Sequence, residues 1–174
     1  MPFLAWSSAG QVVDFKGDAF ITPKGASAKM ATMKFPIEVG DMIETKTTGS
    51  IKILFADDTI LTLKENSKTL ITEFLFNADA KKRKSVFSIF SGKIRKTVGK
   101  YFGDDQQVEI KTSTAVAGIR GTDVGALVTA KQTTFFCFDG NFFSYNIAFP
   151  EKVVNVNEGL GIDIEKGFAA SSDQ

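Results

Sequence analysis

The 174-residue chain is 43% hydrophobic and carries a net charge of +1. A chain of this size buries roughly 70% of its unfolded surface, enough for one core without covalent staples, while a charge near zero supplies no broad basic field for nucleic acid. With no histidine and one cysteine, Ser-His-Asp and Cys-His nucleophile systems, histidine-bearing zinc, haem and iron sites, and an internal disulfide are excluded.

At the start of the chain, Pro2-Phe3-Leu4-Ala5-Trp6 followed by Ser7-Ser8-Ala9 resembles the end of a secretory signal cleaved after Ala9. A basic n-region is missing and the apolar core is shorter than the usual roughly 7 to 15 residues. Residues 1–9 are therefore expected to be a signal-peptide remnant or a first strand. No stretch approaches the roughly 20 apolar residues of a membrane-spanning helix.

From Gly10 on, apolar residues recur with a period of two between turn residues. Gly10, Gly17, Gly25, Gly40 and Gly49 punctuate the first third, and Ile51, Ile53 and Phe55, then Leu61 and Leu63, line single faces. A short helical turn is expected near 75–83, ahead of the run Lys81-Lys82-Arg83-Lys84. That run, followed by Lys93, Arg95, Lys96 and Lys100, makes the middle of the chain basic. It reads first as a solvated loop and second as a contact patch for an anionic polymer, lipid head groups or an acidic partner.

The most informative stretch runs from Val108 to Val128. Val108 and Ile110 share one strand face, Thr112, Ser113 and Thr114 end the alternation, and Gly118 and Gly121 allow conformations or close approaches that a β-carbon obstructs. Ile119 is expected in the core. Arg120, with its fork of five donors, is expected as a partly buried clamp tying carbonyl or carboxylate oxygens over the corner, the sharper alternative being an anion contact. The candidate structural residues are Thr112, Thr114, Gly118, Arg120, Gly121 and Thr122.

Further strands are expected at Thr133–Phe138, Asn141–Ile147, Lys152–Val156 and Gly161–Ile164, with turns at Asp139-Gly140, Phe149-Pro150 and Glu158-Gly159. Phe135, Phe136, Phe138, Phe142, Phe143, Tyr145 and Phe149 crowd one hairpin. Adjacent rings fall on both strand faces, so one set fills the core and the other is expected under a neighbouring layer of the same domain. Left open, that second set would mark a partner or self-association surface, so Phe142 and Phe143 join Lys81, Lys82, Arg83 and Lys84 as candidate partner contacts. Cys137 reads as a small buried apolar residue.

Asp57, Asp58, Asp104, Asp105, Asp139 and Glu158 are the carboxylates from which a catalytic pair would have to come. Each sits beside glycine or in a polar turn, where a carboxylate is usually solvated and bonds its own backbone, and none has the spacing of a calcium loop. No catalytic, metal-binding or cofactor residue is assigned, and no enzyme activity is expected.

Thr112-Ser113-Thr114-Ala115-Val116-Ala117-Gly118-Ile119-Arg120-Gly121-Thr122-Asp123-Val124 closely resembles the signature of the FecR family, bacterial envelope domains named for an iron-uptake signal transducer. Val39-Gly40-Asp41-Met42-Ile43-Glu44-Thr45, Ile51 to Thr59, Ser91-Gly92-Lys93-Ile94, Phe138-Asp139-Gly140 and Asn157-Glu158-Gly159 resemble the family's other landmarks in order, so that the likeness spans Gly10 to Gly167. Asp57-Asp58-Thr59 lacks the usual turn glycine, and phenylalanine is unusually frequent at apolar positions.

The resemblance implies an all-β, twisted, solenoid-like stack of short antiparallel sheets, with a FecR-like domain over 10–168 and a polar tail over 169–174. It also implies a non-enzymatic protein-binding or scaffold module of the envelope, periplasmic or secreted, whose partner is another envelope protein or polymer, with self-association allowed. Two alternatives stand beside it: a sensory component of iron-siderophore signalling working with a TonB-dependent receptor and a sigma factor regulator, and a carbohydrate-binding or carbohydrate-active β protein. FecR-type transducers also carry a sigma-factor-engaging helical segment and a membrane helix. Neither pattern occurs in this sequence, so signal transmission by it alone is not expected.

Overall fold

The computed structural model describes residues 8–99, 103 and 105–168; the signal-like residues 1–7 and the polar tail at 169–174 lie outside them. The described residues form strands and turns without a helix. Two sheets face each other across one core and are joined through a single long strand, β9 (Lys82–Thr97).

The front sheet runs in the order β4 (Pro36–Ile37), β1 (Gly10–Lys16), β6 (Ser50–Phe55), β7 (Ile60–Leu63), the second half of β9, β12 (Asp123–Val128), β13 (Gln132–Asp139) and β16 (Gly161–Glu165). The back sheet contains β3 (Lys29–Met30), β2 (Ala19–Thr22), β5 (Met42–Thr45), β8 (Lys68–Asn77), the first half of β9, β10 (Asp105–Lys111), β11 (Ala115–Ile119), β14 (Asn141–Asn146) and β15 (Val154–Asn157). The chain passes back and forth between the sheets, which gives the wound character implied by the resemblance. Every pairing is antiparallel except β9 with β10, which is parallel.

Strand alternation builds the core. Val12, Ile53, Leu61, Ile94, Val124 and Phe135 face inward from the front sheet and meet Ile21, Ile43, Ile71, Phe87, Ile110 and Phe142 from the back in one cluster. Fully burying each such side chain stabilises the fold by roughly 1.5–3 kcal/mol relative to leaving it in water. The crossing of β9 from sheet to sheet depends on Gly92, whose φ is +98°. A β-carbon there would stand 2.2 Å from the Ser67 hydroxyl oxygen, so glycine answers both the angle and the space.

No helical turn forms near 75–83. β8 continues to Asn77 and its residues pair directly with β9, Leu75 with Lys84, Phe76 with Arg83 and Asn77 with Lys82. Between them Ala80 N–H donates to the Asn77 side-chain oxygen at 2.9 Å, and Lys81 takes a φ of 52°. The hairpin won because alternating Phe74 and Phe76 on one strand and Ser85 and Phe87 on the other give it a dry face, which a helix at 3.6 residues per turn would scatter.

Candidate binding face and the buried charge cluster

The signature corner is held by hydroxyl groups. The Thr133 hydroxyl on β13 lies 2.7 Å from both the Thr112 and Thr114 hydroxyls, while Thr112 Oγ1 accepts the Ala115 N–H at 3.0 Å and the Thr114 N–H at 3.2 Å. Thr114 and Thr133 are fully buried, so this network ties the turn between β10 and β11 to the opposite sheet where water cannot compete. At the other end of β11, the Thr122 hydroxyl bridges the carbonyls of Arg120 at 2.9 Å and Asn141 at 2.6 Å. Gly121 supplies the positive φ of 60° that turns the chain there.

Arg120 does not form the expected buried clamp. Ile119 enters the core, but β11 ends there and Gly121 swings the chain so that the Arg120 side chain is exposed, lining a depression of about 230 Å³ with Gln106, Glu109 and Phe143. A buried guanidinium instead comes from Arg83. Its Nε lies 3.0 Å from Asp57 Oδ2, Nη2 donates to the Asp57 carbonyl at 2.7 Å, and Nη1 donates to the Gly99 carbonyl at 3.2 Å. Asp57 also accepts the Thr59 N–H and hydroxyl at 3.0 and 2.9 Å. Asp57 is thus not the solvated turn carboxylate expected from its neighbours, and Arg83, 5% exposed, is withdrawn from the proposed contact patch.

Lys96 lies close to this pair and is completely buried. Its Nζ is 3.4 Å from the Ser85 hydroxyl and 3.9 Å from the centre of the Phe87 ring. Burial holds its pKa well below the usual lysine range, against the pull of Asp57 and with repulsion from Arg83. Burial outweighs the aromatic face and the carboxylate, because one buried carboxylate already neutralises one buried guanidinium. A lysine beside a serine is a known nucleophilic arrangement, but both side chains are sealed from solvent and no substrate reaches them.

Of the remaining candidate contacts, Lys81 and Lys82 are exposed, Lys84 is half-buried in a 2.6 Å ion pair with Glu73, and Phe142 is in the core. Phe143 is 43% exposed and lies over Gly118, where a β-carbon would come within 2.0 Å of the ring. Asp58, Asp139 and Glu158 are exposed; Asp104 and the side chain of Asp105 lie outside the described residues. Cys137 is fully buried, and burial raises its thiol above the usual value.

Contrary to the expected covering layer, the outward aromatic residues stay open. Phe136 and Phe138 are 38% and 44% exposed, their ring centres 4.9 Å apart, on the outer face of the front sheet. The Arg95 guanidinium sits 4.4 Å from the Phe138 ring centre and is gripped by Asp123, Nε at 2.9 and 3.2 Å and Nη2 at 2.6 Å from its oxygens. Asp123 belongs to the signature, so one of its functions here is to orient Arg95 and through it Phe138. Gly125 makes room, since a β-carbon there would lie 2.8 Å from Phe138.

Arg95, Gly125, Phe136 and Phe138, with Leu127, Thr134, Lys64 and Lys93, line a shallow groove of about 370 Å³. Sequence reading named neither Arg95–Asp123 nor Phe136–Phe138 as a site; the available signal was the parity of Lys93 and Arg95 against the buried Ile94.

The FecR protein family model matches residues 41–142, more than half of the chain. Among solved structures, a candidate anti-sigma factor from Parabacteroides distasonis ATCC 8503, determined at 1.65 Å and again at 2.50 Å, shares the fold with a TM-score of 0.60 at 12% identity. The alignment covers 76% of this chain and 60% of that one, so the match spans less than two thirds of the solved protein. None of the curated proteins matches by sequence. The family match begins at the buried Asp41, takes in the Asp57–Arg83 pair and the Arg-Gly-Thr-Asp corner and ends at the buried Phe142, and on that ground the chain belongs to the FecR family.

Proposed function

We propose that this chain is a non-enzymatic binding or scaffold module of the bacterial envelope and that it holds its partner on the outer face of the front sheet. The observation that carries this reading is the open platform of Phe136 and Phe138, braced by Arg95 and Asp123 inside the family-matched segment. Apolar rings left in water next to ordered, charge-gripped neighbours are the signature of a surface built for contact. The rigid sheet beneath supplies the preorganisation that limits the entropic cost of binding.

The fully buried Ser85 and Lys96 and the dispersed turn carboxylates support a binding rather than a catalytic role. Tagged protein incubated with envelope extract is the direct test. The F136A/F138A double variant is expected to lose the captured partner while R120A keeps it; equal capture by both would overturn the assignment of the face.

A regulatory setting is the second reading, favoured by the fold likeness to a candidate anti-sigma factor. In it the module is the sensory part of an iron-siderophore system, in contact with a TonB-dependent receptor. Co-purification of such a receptor from iron-starved cells, dependent on Phe136 and Phe138, is the expected result; a receptor-free eluate would remove this reading.

A further inference from the structure

The aromatic groove has a neighbour on the same face. A second depression of about 270 Å³ is lined by Asp14, Ser50, Lys52, Thr62, Lys64 and Arg95, and it shares Lys64 and Arg95 with the aromatic groove. The strand register places these groups in one line across the sheet: Asp14 pairs with Lys52, Lys52 with Thr62, Thr62 with Arg95, Arg95 with Gly125 and Gly125 with Phe136. The two depressions thus form a track perpendicular to the strands, cationic at one end and aromatic at the other.

We infer that this track binds a linear acidic glycan, with sugar carboxylates against Lys52 and Lys64 and sugar faces against Phe136 and Phe138. The inference rests on the binding-module reading above and names the chemistry of its partner. Charge favours an anion, since four cations and one carboxylate line the two depressions. Lys93 is partnered by Glu65 and Arg95 by Asp123, whereas neither Lys52 nor Lys64 is in an ion pair among the described residues. Those two ammonium groups are the ones left to meet an incoming anion.

A glycan fits the track better than a polypeptide does. The strands under it are paired on both sides, β6 by β1 and β7, β7 by β6 and β9, β12 by β9 and β13. A peptide backbone therefore finds no open edge to extend and loses the main-chain hydrogen bonds through which extended peptides usually bind sheets. A sugar chain needs no such edge. Lys64 and Lys93 lie opposite each other on neighbouring strands, which are about 4.7–4.9 Å apart, close to the length of one sugar residue, while Lys52 and Arg95 lie two strands apart across Thr62. Exposed rings beside the bare Gly125 floor offer flat apolar surface for the faces of a pyranose.

Calorimetric titration of the full chain with oligogalacturonate, neutral oligogalactan and poly-L-glutamate tests the inference. Oligogalacturonate is expected to bind at low salt and to weaken as salt is added, and neutral oligogalactan to bind far more weakly. K52Q/K64Q is expected to lower the affinity for oligogalacturonate and flatten its salt dependence. F136A/F138A is expected to lower it about tenfold with the salt dependence kept, and K81Q/K82Q to leave it unchanged. All these substitutions are at exposed positions, and unchanged melting curves verify that the variants fold.

Poly-L-glutamate binding as tightly as oligogalacturonate, with no loss in F136A/F138A, would overturn the inference in favour of an acidic polypeptide. Binding of neither polymer, or binding unaffected by both double variants, would overturn it outright. In either case a partner captured from envelope extract through Phe136 and Phe138 leaves the broader reading standing, so the two failures are distinguishable.

Discussion

Asp57 and Arg83, 26 residues apart in the chain, meet inside the protein with Nε 3.0 Å from Oδ2 and side chains 0% and 4% exposed. The contact fastens the turn between β6 and β7 to the start of β9. Because both charges are dry, removing one partner leaves the other stranded. Asp57→Asn is expected to destabilise the protein by about 3–5 kcal/mol. The D57N/R83M double variant should lose clearly less than the sum of the two single losses; urea denaturation of the four proteins measures the coupling, and strict additivity would contradict it.

Lys96 gives stability a dependence on pH. Its folded pKa is lowered by burial while the unfolded chain titrates near the usual 10.5, so between those two values the unfolded state binds a proton that the folded state does not. Stability therefore rises with pH across that window, by up to about 1.4 kcal/mol per pH unit, and is flat below the folded value. Lys96→Met is expected to be more stable than the parent near neutral pH, with the difference shrinking as pH climbs toward 10.5. Denaturation free energies of the two proteins from pH 6 to 10 show it; parallel curves would contradict it.

The threonine network predicts a cost without any loss of volume. Thr133→Val removes the hydroxyl shared by Thr112 and Thr114 and leaves buried oxygens short of a partner, an expected loss of about 1–3 kcal/mol. A melting temperature equal to the parent's would show that the hydroxyls are not linking the sheets.

Arg120 is expected to behave as a surface residue. Arg120→Ala should change stability by less than about 0.5 kcal/mol, whereas Arg83→Ala should unfold the protein or come close to it. The two are compared by circular dichroism and thermal melts, and a large loss on removing Arg120 would return the clamp to the signature corner.

The buried thiol makes a kinetic prediction. Cys137, fully buried and shifted upward, should react with a thiol reagent only as fast as the protein opens. Labelling at the rate of free cysteine in native buffer would contradict that placement.

Strand and turn positions were legible because alternation and glycine act locally: Val108 and Ile110 are inward and fully buried, and Gly121 and Gly140 have the left-handed angles of turns. What misled was charge read as a run. Lys81-Lys82-Arg83-Lys84 looks solvated as a string, yet alternation continued back from Phe87 through Ser85 puts Arg83 inside. Past the crossing at Gly92 the inward parity shifts by one, and there it carries Lys96 inward with Ile94.

Pairing across sequence is what the string conceals. Nothing near Asp57 announces Arg83, and nothing near Arg95 announces Asp123, because the first pair meets where the back-sheet half of β9 reaches the turn between β6 and β7 and the second where its front-sheet half pairs with β12. The open aromatic face stands in the sequence only as the alternative to a covered one, because whether a second layer covers Phe136 and Phe138 depends on how many sheets the chain makes, which periodicity does not encode.

The binding face is tested most directly by radical footprinting of the protein, alone and in envelope extract. Protection is expected at Phe136, Phe138, Leu127, Lys64 and Lys93, with Phe90, Met30 and Lys82 unchanged. Protection confined to those last three residues, or none at any position, would contradict the account.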